Sequence, residues 1–174
     1  MLALNPILAV AIALSLQVAI SDLYARRVSN RVLLCAIGGA GICYVSGVAG
    51  PLSGVDGMLG FCAGLVAMLP FYAMRVMGAG DVKFFAVLGL LLGWKALLPV
   101  WVVASLMAGV YALCVLSWRR VEIWIPSGWS VALVRHVPSC VALRGKVLAA
   151  RQGRQGIPYA TCLAMAAMAW MVWG

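Results

Sequence analysis

Acidic residues are scarce in this chain: Asp22, Asp56, Asp81 and Glu122 are the full set among 174 residues, and His136 is the single histidine. Charged residues make up 10% of the composition against 66% hydrophobic, with a mean hydropathy of +1.08. That balance excludes an ordinary soluble domain and places the chain in a membrane. No CxxC pair occurs, and the six cysteines (Cys35, Cys43, Cys62, Cys114, Cys140 and Cys162) fall mostly within apolar runs. Cysteine there behaves as a small buried hydrophobe, so neither a metal site, a disulfide framework nor a cofactor is expected. The thirteen Lys and Arg give a net charge of +9, which in a soluble chain would point to nucleic acid. Here they cluster between apolar runs, so they read as signals of membrane topology facing lipid headgroups.

Six apolar runs remain, at about 2–20, 32–49, 58–74, 81–94, 96–118 and 157–173. The first is uncharged and long enough for a hydrocarbon layer that takes about 20 helical residues. It lacks the basic start of a signal peptide, so a retained first span is expected. The second is rich in glycine (Gly38, Gly39, Gly41 and Gly47), which suits close helix packing in lipid. Gly50 to Gly54 reads as a turn, and Asp56 just beyond it as a helix-start or surface aspartate. The fourth run is too short: fourteen residues from Asp81 to Trp94 make roughly 21 Å of helix. Either it starts recessed, with Asp81 in a wet crevice shielded by protein, or Lys95 snorkels outward from the far end.

The long segment 119–156 carries seven Lys/Arg, His136, Glu122 and tryptophans among alternating apolar residues. It reads as an interfacial strip at the headgroup level that binds anionic lipid. Every Lys and Arg except Lys95 falls in the connections Ser21 to Arg31, Arg75 to Lys83 and Arg119 to Gly156. The positive-inside rule puts those connections in the cytoplasm and both termini outside. The expected fold is therefore all-α, a polytopic membrane protein of six transmembrane helices with an interfacial cytoplasmic segment, forming one membrane-embedded domain over residues 1–174.

Asp81 stands in the stretch Gly78-Ala79-Gly80-Asp81-Val82-Lys83, and a carboxylate beside an apolar helix is costly enough to mark function. The glycines before it remove bulk and let another backbone or a substrate strand approach. Asp22, at the end of the first run, falls at the same membrane face. Two carboxylates facing each other with little water are the parts of an aspartyl hydrolase: one takes a proton from water, and the other donates to the scissile carbonyl oxygen. On spacing alone each aspartate could instead pair with a neighbouring cation, Asp22 with Arg26 and Asp81 with Lys83. Membrane carboxylates also mark ion paths, so a transporter-like component is an alternative, as is a non-catalytic scaffold of a pilus or secretion machine. Against transport, both aspartates lie near one face and no matching interrupted helices appear in the two halves.

The order of these features resembles the type IV prepilin peptidases, intramembrane GxGD aspartyl proteases. Gly78-Ala79-Gly80-Asp81-Val82-Lys83 matches their signature, Asp22 with Arg26, Arg27 and Asn30 matches their first motif, and Gly156-Ile157-Pro158-Tyr159 matches their last-span pattern. The resemblance implies catalytic roles for Asp22 and Asp81, with Gly78, Gly80 and Lys83 as motif positions. It also implies a pilin precursor as substrate, cut after a glycine at the cytoplasmic face of a bacterial inner membrane. Larger members carry a cytoplasmic domain with paired CxxC motifs and also N-methylate the new pilin terminus. This chain is more similar to the short, peptidase-only form of tight-adherence (Flp-type) pilus systems, for which methyltransferase activity is not expected.

Overall fold

The computed structural model describes residues 5–25, 28–122 and 159–173, and among these every regular element is a helix. The six are α1 (Pro6–Ala25), α2 (Asn30–Val45), α3 (Gly54–Ala73), α4 (Ala79–Leu92), α5 (Trp94–Glu122) and α6 (Tyr159–Trp173). The all-α reading therefore holds. Three of the helices, α1, α3 and α5, have the length and apolarity to cross a membrane, while α2 and α6 are shorter apolar helices. Of the interfacial strip, Arg119 to Glu122 is the last turn of α5, and residues 123–156 lie outside the described residues.

Helix ends differ from the hydropathy reading by up to about a turn, because polar residues that dislike lipid still continue a helix. The segment Ser21 to Arg31 is not one polar connection: α1 runs on to Ala25 and α2 already begins at Asn30. Asp22 consequently sits inside the last turn of α1 rather than beyond its end. At the opposite end of the bundle, Ser53 caps α3. Its hydroxyl accepts from the Asp56 amide at 3.1 Å and donates to the Asp56 carboxylate at 2.8 Å, so Asp56 is the helix-start residue expected.

The short fourth run is explained by its position. From Val82 to Leu91 almost every residue of α4 except Lys83 is buried, and α1, α2, α3, α5 and α6 all touch it. A helix apolar all round is one enclosed on all sides, here by protein. It needs no full crossing length because its neighbours form its boundary. Gly93 closes it with φ +80, a left-handed conformation that suits glycine, and α5 begins at the next residue. Lys95 just beyond is exposed, with its ammonium 6.0 Å from the centre of the Trp94 ring.

The tightest packing in the molecule joins α3 to α4. A Cβ placed on Gly60 would strike the carbonyl oxygen of Gly89, and one on Gly89 would strike that of Gly60. Gly64 meets the Ala86 backbone at 3.1 Å in the same test, and Gly57 lies against the Tyr44 hydroxyl, which donates 2.6 Å to the Leu90 carbonyl. Small residues bring two backbones together, which is how helices associate where lipid and side chain are equally apolar. The expectation for α2 is corrected here: Cβ atoms on Gly38 and Gly41 would meet nothing within 4 Å, and Gly47 serves the helix end with φ +69. Only Gly39 makes a contact, 3.4 Å from Val10.

Candidate active site

One end of the bundle gathers the C-terminus of α1 and the N-termini of α2, α4 and α6. Asp22, the single carboxylate in α1, is 7% exposed there despite its charge. A buried carboxylate needs donors, and α6 supplies them. The Thr161 amide donates to Asp22 Oδ2 at 3.0 Å and the Thr161 hydroxyl donates to the same oxygen at 2.9 Å. Thr161 is the third residue of α6, so its amide is one of the donors that a helix start leaves without an intrahelical acceptor. Asp22 thus caps α6 across 139 residues of sequence, with its negative charge at the favourable end of the helix dipole.

Asp81 comes from the first turn of α4 and is half-buried. Its amide bonds back to the Gly78 carbonyl at 3.1 Å, which fixes the turn that aims the side chain. The Asp22 and Asp81 carboxylates are near enough for the charge of one to act on the other, although they come from helices far apart in sequence. Tyr159, at the start of α6, lies within electrostatic reach of Asp81, and its hydroxyl is held 3.3 Å from Ser105 of α5. Cys162 lies on the Asp22 side.

The motif glycines act through space rather than backbone conformation. Gly78 has φ −75 and caps α4, and Ala79 and Gly80 are already helical. Gly80 lets Val28 pack closely, since a Cβ there would sit 3.1 Å from the Val28 side chain and push it back by a few tenths of an ångström. Lys83 stands two residues past Asp81, about 200° around a helix of 3.6 residues per turn, and therefore points elsewhere. Its Nζ lies 3.4 Å from Asn30 Oδ1 on α2. The simple pairing of Asp81 with Lys83 is thus not what α4 does with its two charges. Arg26 and Arg27, and the Gly156-Ile157-Pro158 part of the last-span pattern, lie outside the described residues.

Thr161 was not legible in the sequence. Pro158-Tyr159 announces a helix start, but nothing in the spacing shows that a carboxylate from the first helix docks on it. A hydroxyl residue three places into a helix is the available signal, and it is a weak one.

The sequence from residue 9 to residue 113 matches the type IV leader peptidase family, more than half of the chain and inclusive of both aspartates. No curated protein and no solved structure gave a significant match. The chain belongs to the type IV leader peptidase family. An all-helical membrane peptidase is the class that fold and family together define.

Proposed function

We propose that this chain is a prepilin leader peptidase in which Asp22 and Asp81 act on one water between them, the whole of residues 1–174 forming a single peptidase domain. The observation that carries the reading is the convergence of these two carboxylates, from α1 and α4, at one end of the bundle. One carboxylate takes a proton from water as the water oxygen bonds to the scissile carbonyl carbon. The other gives its proton to the carbonyl oxygen. Collapse of the resulting diol breaks the C–N bond: the first aspartic acid hands its proton to the leaving amine, and the second carboxylate recovers one from a diol hydroxyl. The pair starts the next cycle unchanged, sharing one proton between two sites that titrate as a unit.

The substrate is a type IV pilin precursor, of Flp type by the motif resemblance, cut after a glycine that precedes its hydrophobic helix. Methyl transfer is not part of this proposal. Purified protein mixed with prepilin in detergent should shorten the precursor, and retention of full-length precursor would count against the assignment.

The charge asymmetry supports an active site on the cytoplasmic side of a bacterial inner membrane. Single cysteines introduced into a cysteine-free background at Ser29 or Arg144 should resist an impermeant thiol reagent added from outside, and one at Ser53 should react. The reverse pattern would overturn the orientation and, with it, cleavage at the cytoplasmic face.

A further inference from the structure

The two aspartates are not held alike. Asp22 Oδ2 receives two donors from one residue, the Thr161 amide and the Thr161 hydroxyl, at 3.0 and 2.9 Å. An amide N–H only donates, so this oxygen is an acceptor in this arrangement. Oδ1 is left as the oxygen able to take a proton. Asp81, half-buried at the start of α4, is not clamped from α6; its carboxyl meets the Gly78 backbone of its own turn instead.

Resting on the aspartyl-pair reading above, we infer that Thr161 is a positioning residue that fixes Asp22 as the base and leaves Asp81 to carry the shared proton. Asp22 Oδ1 then takes the proton from water while Oδ2 stays bonded to α6, and Asp81 protonates the carbonyl oxygen. The second half of the cycle reverses both transfers, so the two sites exchange no net proton with solvent. Thr161 acts through Asp22, to which its amide and hydroxyl are both bonded. Its amide would persist with any residue at this position except proline, and its hydroxyl is the part that depends on the side chain. Among the described residues, the ionisable groups within electrostatic reach of Asp22 are Asp81 from α4 and Cys162 from α6, with Tyr159 next to Asp81.

Thr161→Val keeps the shape and removes the hydroxyl donor. Measured on a prepilin substrate across pH, it should lower kcat roughly tenfold with little change in KM, since one bond to a charged acceptor is lost. Thr161→Ser, which keeps a hydroxyl, should restore the rate. If Thr161→Val does not fold, Thr161→Ala is read in the same way. A wild-type kcat in the folded variant, or a Thr161→Ser enzyme as slow as Thr161→Val, would overturn the role of Thr161. Failure of the underlying reading looks different: Asp22→Asn would then still cleave.

Discussion

Asparagine at either Asp22 or Asp81 is expected to reduce cleavage by on the order of 10³-fold or more, the scale of a lost acid or base that acts as part of a unit. The amide keeps the size of the carboxylate but cannot cycle a proton. Asp22→Asn also keeps an oxygen for the Thr161 donors, so the cap on α6 survives and the loss reports chemistry rather than unfolding. The double substitution should be no worse than either single one, because removal of one member already disables the pair. Asp56→Asn is the control, its carboxylate being committed to Ser53 at the far end of α3. The wild-type rate should fall on both sides of an optimum, since the pair works only with one proton shared between two carboxylates. Near-wild-type turnover by a folded, inserted Asp22→Asn or Asp81→Asn protein would sink the aspartyl assignment.

The second large effect is on stability. Gly60→Ala should destabilise the protein by about 1–3 kcal/mol or more, the range of an overpacked core, because the new methyl lands on the Gly89 carbonyl rather than on a side chain that can rotate away. Gly89→Ala should do the same from the other side. Gly41→Ala should have the opposite sign or none: its Cβ meets nothing within 4 Å, and alanine is the better helix former by up to about 1 kcal/mol. Thermal unfolding in detergent, followed alongside cleavage, separates the cases. Equal melting temperatures for Gly60→Ala and Gly41→Ala would show that the α3–α4 contact is not as close as described.

These glycines mark the limit of what the sequence discloses. Gly38, Gly39 and Gly41 form a conspicuous cluster in α2, yet the glycines that bring backbones together are Gly57, Gly60, Gly64 and Gly89. In a soluble helix the apolar stripe names the buried face; where lipid and protein are equally apolar that signal vanishes, and a glycine does not say which neighbour it meets. Asp22 and Asp81 were legible for the same reason in reverse, since a carboxylate among apolar residues needs an explanation whatever the packing. Which way each charge turns was less so: Lys83 lies beside Asp81 in sequence and faces Asn30 in space. Thr161 was hidden because its partner is 139 residues away.

Enclosure of α4 also bears on how the protein is made. A fourteen-residue helix with an aspartate and a lysine in its first turns is a poor candidate to leave the translocation machinery for lipid by itself. Its partner α3 is twenty residues long, emerges from the ribosome first, and is joined to it by only Met74 to Gly78. With Gly60 and Gly89 packed against each other, α3 and α4 form one close hairpin in which the longer helix covers the shorter. The helix that bears Asp81 is thus enclosed above all by the helix synthesised before it.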